Sequence, residues 1–480
     1  MQITLQTSTE PTDTLIIPVI QSDTLADLAE RVGLETSVFQ RDFKAEPKEV
    51  LVTYGPEGQK TVLLGLGKEP ALPDWIKAFR EYFFRNKAKL SAQVSIDLTG
   101  FGSEVVEAVV LGVRWGGYDL RLYQTNKTDV SDFYGENGRL TLIVSDPAVQ
   151  SAVEKADVIA STHREILDLM NAPANYVFPQ TLADWATASG RKYGYSVQVF
   201  DENEIENKGL LALLSVSRGS EKPPRFIVAE YVPEGVENPK TVGLVGKGVT
   251  FDTGGVSIKQ STNMHLMKSD MGGAAAVLGT LEAAARLALP IRLIGIIPTT
   301  ENSTDGKSTK PGDVVGSYLG KTIEIIDTDA EGRVILADGL GYLVRNYQPD
   351  VIIDLATLTG NCIAALGYQA AGLFTNNDRL AADLSAAADH TGERVWRLPL
   401  WDAYKEDLKS DVADVKNFHG KPFTGAINGA KFLEVFTESH PAWAHLDIAG
   451  VAFGDTEFGT QKNATGYGIR LLIEYLEKLG

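Results

Sequence analysis

Charged side chains gather in two short stretches of the sequence that also contain glycines. Their members are Lys247, Asp252, Lys259 and Asp270 in the first stretch, and Asp329, Glu331 and Arg333 in the second. Each lies at or soon after the end of an apolar run, and ligands collect at such strand ends in an open α/β sheet. These residue types predict a carboxylate-rich pocket for two divalent metals that activates a water for hydrolysis.

The second stretch strengthens this prediction because its carboxylates are only two positions apart. If Asp329 and Glu331 are extended, their side chains project to the same side of the chain. Two adjacent carboxylates repel each other, and one would be protonated unless cations held both ionised. Hard oxygen ligands suit Mg²⁺ or Mn²⁺, while Zn²⁺ also accepts carboxylates, so the ligand types leave the metal open.

The basic residues and Asp270 have alternative interpretations. Lys247 would need a lowered pKa to coordinate a metal as a neutral amine. Lys259 and Arg333 could remain cationic and stabilise an oxyanion or hold a small anion. Asp270 directly precedes a run rich in Gly and Ala, so it could simply be the N-cap of a helix.

Other catalytic motifs fail at specific positions. Gly248 stands where a phosphate-binding loop needs Ser or Thr after its lysine, and Phe251 occupies the third glycine position of a dinucleotide fingerprint. No His-Glu-x-x-His pair occurs, and Ser257 lacks the second glycine of a nucleophile elbow. A phosphatase or nuclease remains an alternative, because two-metal carboxylate sites serve those reactions too.

Alternating strands and helices must position these residues. From residue 176 to 480 the pattern predicts strands such as Ser196–Phe200, Thr241–Val245 and Val351–Leu355 and helices such as 204–214 and 272–287, which implies a mainly parallel sheet flanked by helices. Residues 1–150 predict a smaller α/β domain for packing or assembly. Residues 151–175 predict a connecting helix and domain entry. The fold class is therefore α/β with two domains.

Composition limits the functional class. The 480-residue chain carries a formal charge of −18, which argues against nucleic-acid binding. Cys362 is the only cysteine, so an intrachain disulfide and a cysteine-rich zinc site are excluded. The start of the chain lacks the pattern of a secretory signal, and no run has the roughly 18 apolar residues of a membrane helix. These features predict a soluble cytoplasmic protein without membrane association.

Three segments resemble the signature motifs of the leucyl aminopeptidases, also called cytosol aminopeptidases, which are dinuclear metallopeptidases. They begin Gly246-Lys-Gly-Val-Thr-Phe-Asp, Asn263-Met-His-Leu-Met-Lys-Ser-Asp and Asp327-Thr-Asp-Ala-Glu-Gly-Arg. Supporting matches occur at 171–179, 354–360, 445–450 and 465–470. The resemblance therefore runs from about residue 165 to the C-terminus, and it covers none of the N-terminal part with comparable specificity.

The resemblance implies a role for each site residue. Two Mn²⁺ or Zn²⁺ ions would be bound by Lys247, Asp252, Asp270, Asp329 and Glu331, with Asp252 and Glu331 bridging them. Lys259 would polarise the scissile carbonyl, Arg333 would hold a bicarbonate that acts as general base, and the Leu358 backbone would accept the substrate. Met267 is a candidate pocket wall, and a core role is its alternative.

The implied activity is release of unblocked N-terminal Leu and other apolar residues from peptides, in intracellular peptide processing and protein turnover, by a homohexamer. Some bacterial members of the family also bind DNA, which the charge of this chain opposes. Two positions depart from the common family pattern. Asp327 replaces Asn, and we expect tighter cation binding or an altered pKa nearby without loss of activity. His265 replaces Asp, which we interpret as a surface-loop exchange.

Overall fold

The computed structural model describes residues 1–8, 12–21, 28–29, 35–55, 58–126, 131–455 and 462–480. The chain divides into two compact units, Met1–Arg164 and Glu165–Gly480. The long helix α4 (Gln150–Asn171) carries the chain from the first unit into the second. Both units combine helices with mostly parallel strands, which confirms the predicted α/β class.

The first unit is built on one sheet whose strands follow the order β1-β6-β5-β2-β4-β3 among the described residues. All neighbouring pairs are parallel except β3 with β4. The elements of this unit before α4 are β1 (Gln2–Gln6), β2 (Thr14–Val19), α1 (Thr36–Asp42), β3 (Val50–Tyr54), β4 (Lys60–Gly65), α2 (Leu72–Asn86), β5 (Gln93–Asp97), α3 (Ser103–Gly116) and β6 (Arg139–Ile143).

The second unit continues the alternation of strands and helices. Its elements up to the second charged stretch are α5 (Pro179–Tyr193), β7 (Ser196–Phe200), α6 (Glu202–Asn207), α7 (Leu211–Ser217), β8 (Arg225–Tyr231), β9 (Thr241–Gly246), β10 (Gly248–Asp252), α8 (Gly272–Arg286), β11 (Arg292–Asn302), β12 (Val314–Gly316), β13 (Thr322–Glu324) and α9 (Glu331–Tyr347). The remainder comprises β14 (Val351–Ala356), α10 (Gly360–Leu366), β15 (Ala371–Thr375), α11 (Asp378–Thr391), β16 (Val395–Arg397), β17 (Val415–Lys416), α12 (Gly425–Glu434), β18 (Trp443–Asp447), β19 (Phe453–Asp455), β20 (Asn463–Ala464) and α13 (Ile469–Leu479).

A large sheet forms the centre of the second unit, in the order β16-β15-β18-β14-β9-β11-β8-β7, with β10 paired to β11. The four central strands β18, β14, β9 and β11 are parallel. Nearly every residue of β9 and β14 is buried, because helices cover both faces of the sheet. The carboxyl ends of these parallel strands meet at one edge, and the first charged stretch begins there, directly after β9. The second charged stretch follows β13, which belongs to the separate sheet β12-β13-β17.

One predicted helix is wrong in its continuity. The sequence predicts a single helix over 204–214, whereas the structure has α6 and α7 as two short helices separated by Lys208–Leu210. Gly209 has a φ of +77°, which is a left-handed conformation that stops a right-handed helix. The buried α7 then packs against α9.

Within the described residues, no helix is both long enough and apolar enough to cross a membrane.

A buried carboxylate ties α7 to α9. Asp338, which is fully buried in α9, accepts the backbone N–H of Leu213 through Oδ2 at 2.8 Å. Its Oδ1 accepts the backbone N–H of Tyr318, also at 2.8 Å. Both carboxylate oxygens thus accept backbone N–H groups that have no partner within a helix or a sheet.

We predict that Asp338→Asn lowers the free energy of unfolding by about 1–3 kcal/mol, because the amide NH₂ would face one of the two N–H donors and leave it unpaired. Urea denaturation followed by circular dichroism measures the change. Asp389→Asn, on the exposed face of α11, is the matched control and should leave the unfolding curve unchanged. Equal stability of the Asp338 variant and wild type would contradict this assignment.

Candidate metal centre

The ends of the central strands bring both charged stretches to one place. Lys247 directly follows β9, and its backbone N–H donates to Leu355 O of β14 at 3.0 Å. Asn302 ends β11 and donates from Nδ2 to Asp252 Oδ1 at 2.8 Å. Parallel strands thus deliver groups that are distant in sequence to the same edge of the sheet.

Lys247 lies at the bottom of this cluster and is 3% exposed. Its Nζ is 2.7 Å from Asp270 Oδ2 and 2.8 Å from Glu331 Oε1, and it donates to Thr357 O at 3.0 Å. Space for this side chain depends on Gly332, since a Cβ there would lie 2.5 Å from Lys247 Cε. The glycine after Glu331 is therefore required for Lys247 to reach the carboxylates.

Lys259 approaches the cluster from the cavity side. Its Nζ lies 2.7 Å from Asp252 Oδ2 and also contacts Asp329 Oδ1. The Lys259 side chain is 22% exposed, whereas that of Asp252 is almost completely buried. The two lysines thus contact different carboxylates of the same cluster.

The acidic side chains converge closely enough to share cations. Asp252, Asp329 and Glu331 each offer one carboxylate oxygen, and these three oxygens lie within 4.8 Å of one another. Asp329 and Glu331 do not meet the condition of an extended chain, because Asp329 lies in a turn and Glu331 is the first residue of α9. A turn followed at once by a helix, and not the period of a strand, brings them together.

Mutual repulsion and burial perturb the ionisation of these carboxylates. Burial, with the charges of Asp252 and Glu331, raises the pKa of Asp329 to about 7. Burial also raises the pKa values of Asp252 and Asp270. For Glu331, burial is outweighed by Lys247 and Lys259, and its pKa is lowered. The lysines alone therefore cannot keep all four carboxylates ionised.

The same excess of carboxylates also shifts the pKa of Lys247. Burial by itself lowers the pKa of Lys247, but Asp270, Glu331 and Asp252 outweigh burial and raise the pKa. A neutral Lys247 amine therefore requires that bound cations, and not its own ammonium, balance these carboxylates.

The donor set fits divalent cations. Four buried carboxylate oxygens have no aligned hydrogen-bond donor among the described residues, although lysine ammonium groups lie near three of them. These oxygens are Asp270 Oδ2, Asp329 Oδ1, Glu331 Oε1 and Glu331 Oε2. Buried acceptors of this kind are expensive unless a cation coordinates them. Lys247, Asp252, Asp270, Asp329 and Glu331 are the residues that would hold the metals.

A cavity of about 610 Å³ opens above the cluster, and the remaining predicted site residues line it. Met267 and Leu358 both form part of its wall. Arg333 also lines the cavity while 4% exposed, and its Nη1 donates to Asn417 O at 3.0 Å. Arg333 Nε is a buried donor without a partner among the described residues.

The structure decides between the alternatives for Asp270. Helix α8 begins at Gly272 with Met271 at its N-cap, so Asp270 is not the cap. Its Oδ1 instead accepts hydrogen bonds from Lys247 Nζ and from Thr357 Oγ1, both at 2.8 Å. Asp270 therefore faces the cluster.

The two departures from the family pattern lie in different surroundings. Asp327 lines the cavity, and its Oδ1 accepts the backbone N–H of Asp329 at 2.9 Å, a bond that an Asn oxygen could also accept. His265 is exposed in the six-residue 3₁₀ segment Met264–Ser269. Its exposure agrees with a surface exchange.

Several residues that position the site were not singled out from the sequence. Asp447 is fully buried at the end of β18 and accepts N–H bonds from Leu358 at 3.2 Å and Thr359 at 3.4 Å. Thr359 Oγ1 donates to Asp447 Oδ2 at 2.6 Å. Asp447 thus fixes the loop that carries Leu358. Its only signal in the sequence is its position within the matched segment 445–450.

Comparison with known proteins identifies relatives over most of the chain. A family model described as the cytosol aminopeptidase family, catalytic domain, matches residues 166–473. A probable cytosol aminopeptidase of Chlorobium limicola is 46% identical over 464 residues, covering 92% of each chain. A probable cytosol aminopeptidase of a Geobacter species is 43% identical over 446 residues, covering 91% of this chain and 89% of the relative.

Solved structures share the whole fold. A mutant of tomato leucine aminopeptidase matches with a TM-score of 0.87 and 32% identity, covering 100% of this chain and 96% of the other. The bottromycin maturation enzyme BotP in complex with Mn matches with a TM-score of 0.84 and 34% identity, covering 97% of this chain and 99% of the other. The similarity therefore extends over both units of the chain.

We predict that Mn²⁺ raises the thermal unfolding temperature, because an ion that binds only the folded state stabilises it by about 2.7 kcal/mol at 100 times its Kd. Asp252→Asn should reduce this shift, since it removes one buried charge from the cluster. Differential scanning fluorimetry with and without Mn²⁺ measures both effects. Asp411→Asn, at an exposed position, is the control and should respond as wild type does. An equal Mn²⁺ shift in the Asp252 variant would contradict the site.

Proposed function

Because the chain belongs to the cytosol aminopeptidase family, we propose that it releases unblocked N-terminal residues from peptides, with a preference for Leu and other apolar residues. The chain is a metal-dependent hydrolase of the leucyl aminopeptidase type. The proposal adds the substrate preference, the two-metal mechanism and a role in intracellular peptide processing and protein turnover.

One observation carries the proposal. Four carboxylates with only two lysines between them converge beside a cavity large enough for a peptide end. When bound there, two divalent metals would supply Lewis-acid activation of a water and a ligand position for the free α-amino group. A substrate without a free amino group would lose that anchor, which gives a physical reason for trimming from the N-terminus.

The protein's own residues then act around the first peptide bond. Lys259, at the cavity side of the cluster, would stay cationic and stabilise the developing charge on the carbonyl oxygen. Its position beside Asp252 and Asp329 supports this role. Asp252, Glu331, Lys247, Asp270 and Asp329 would together hold the two ions.

Arg333 would hold the general base. Its buried guanidinium is fixed by the carbonyl of Asn417 and keeps an unpaired Nε, so it suits a planar anion such as bicarbonate. Arg333 would hold the bicarbonate in the cavity, where that anion would supply general-base chemistry.

The cavity wall supports the orientation of the substrate. The Leu358 backbone would contact the reacting region, and Asp447 holds that loop in place through Leu358 N. Met267, on the wall of the same cavity, would contact the apolar side chain of the first residue. Mn²⁺ or Zn²⁺ as the ions, a homohexameric assembly and a cytoplasmic location belong to this proposal through the family resemblance.

We predict that the Mn²⁺- or Zn²⁺-loaded protein hydrolyses leucine amide and Leu-Gly but not N-acetyl-leucine amide, which lacks the free amine. Amine release followed by chromatography measures turnover. Glu331→Gln should reduce both the bound metal, measured by elemental analysis, and the turnover, because it removes a charged ligand.

Two outcomes would reject this function. The first is absence of leucine-amide turnover by metal-loaded wild type. The second is turnover of a phosphodiester but not of leucine amide, which would select a two-metal phosphoesterase. Asp411→Asn serves again as a carboxylate control outside the cavity.

We also predict that added bicarbonate raises kcat of the wild type and has no effect on Arg333→Met, since the aliphatic side chain cannot hold the anion. Removal of a general base lowers kcat by about 10²–10⁴-fold. Initial rates in degassed buffer with and without bicarbonate measure the response. An equal response in wild type and Arg333→Met would contradict the role of Arg333. The exposed residue Arg379 provides an Arg→Met control.

A further inference from the structure

Asn417 is distant in sequence from the second charged stretch but forms hydrogen bonds to the main chain that leads into it. It follows the short strand β17, which pairs in parallel with β13, and its backbone N–H donates to Glu324 O at 2.9 Å. Its side chain is fully buried. Nothing in the sequence around Asn417 indicates a role, since it lies 84 positions from Arg333 and outside every matched motif.

The Asn417 amide group uses its full bonding capacity on the backbone that leads to the carboxylates. Its Oδ1 accepts the N–H of Ile326 at 2.8 Å and the N–H of Asp327 at 3.3 Å. Its Nδ2 donates to Asp327 O at 2.7 Å and to Ala330 O at 3.3 Å. Two donors and two acceptors are all that an amide side chain offers.

The four hydrogen bonds of the Asn417 amide go to main-chain groups on both sides of Asp329 in the sequence, and Asp329 is a candidate metal ligand. Asp329 lies between Asp327 and Ala330, and Glu331 begins α9 immediately afterwards. Their side chains belong to the carboxylate cluster, and Asn417 binds the main chain of the same turn. In addition, the carbonyl of Asn417 accepts the hydrogen bond from Arg333 Nη1. One residue therefore contacts both the metal-binding turn and the candidate anion-binding side chain.

We propose that Asn417 is a positioning residue whose side-chain amide sets the placement of Asp329 and Glu331 for metal binding. The role in turnover rests on the proposed function, whereas the role in metal binding does not. Mutation of residues that orient metal ligands through hydrogen bonds typically lowers metal affinity or activity by about 10–100-fold.

The chemistry at position 417 requires an amide. Asp has nearly the same shape but only accepts hydrogen bonds when ionised, so it would lose both donors and place negative charge 2.7 Å from Asp327 O. Ala would remove all four side-chain bonds without introducing repulsion. Both variants keep the backbone carbonyl that binds Arg333, so a change in metal binding reports on the amide itself.

The test is Mn²⁺ titration by calorimetry of folded wild type, Asn417→Asp and Asn417→Ala, with folding checked by circular dichroism. We expect about 10–100-fold weaker Mn²⁺ binding in both variants. At saturating Mn²⁺ we expect kcat on leucine amide to fall while KM stays unchanged, because the substrate-contacting cavity wall is untouched. A purely structural role would lower the unfolding temperature and leave Mn²⁺ affinity in the folded protein as it is.

Asn376→Asp is the matched control, because Asn376 also bridges two main-chain groups, His440 O at 2.7 Å and Trp443 N at 3.1 Å, away from the cavity. It should keep wild-type Mn²⁺ affinity. Wild-type affinity in folded Asn417→Ala would overturn the proposal. So would failure of both Asn417 variants to fold, which would assign this residue to overall stability. If wild type binds Mn²⁺ without hydrolysing leucine amide, the proposed function fails while the assignment of Asn417 stands.

Discussion

Charge imbalance in a buried cluster is the constraint on which the second unit depends. Four carboxylates and two lysine ammonium groups lie within contact distance of one another, and all of them except Lys259 and Asp329 are buried. Burial, together with the neighbouring carboxylates, raises the pKa values of Asp252, Asp270 and Asp329. Two lysines cannot neutralise four carboxylates, which leaves a shortfall of positive charge. Divalent cations remove it, which links the physical chemistry of this site to the metal dependence of the family.

Holding like charges together requires a rigid frame, and the sheet supplies it. Lys247 follows one central parallel strand, and Thr357 follows its neighbour. Backbone bonds between these strand ends and the close approach of Gly332 leave Lys247 little freedom. Asp447 then holds the next loop, and Asn417 holds the turn before α9. The repulsive groups are thus placed by neutral main-chain contacts and by buried polar side chains whose bonds are satisfied.

Local sequence was informative about the elements and the ligand types. The alternation of apolar strands with helices was sufficient for the α/β class, because buried parallel strands are apolar on both faces. It failed at 204–214, where apolar spacing continues through Gly209 although the backbone there turns left-handed. The local pattern also did not show how Asp329 and Glu331 come together. Residues two positions apart can be neighbours in a strand, where side chains alternate, or in a turn that leads into a helix, which is the case here.

By itself the sequence determined which residues could bind cations and, through three ordered motifs, which family they resemble, because these depend on residue type and on spacing along the chain. Tertiary structure alone decided that Asp270 faces Lys247 and is not the N-cap of α8, and that Asn417 and Asp447 support the site. The reason is physical. Asn417 acts on a turn about 90 positions earlier in the chain through hydrogen bonds to main-chain N–H and C=O groups. All residue types except proline have both groups, so these bonds leave no pattern in the sequence.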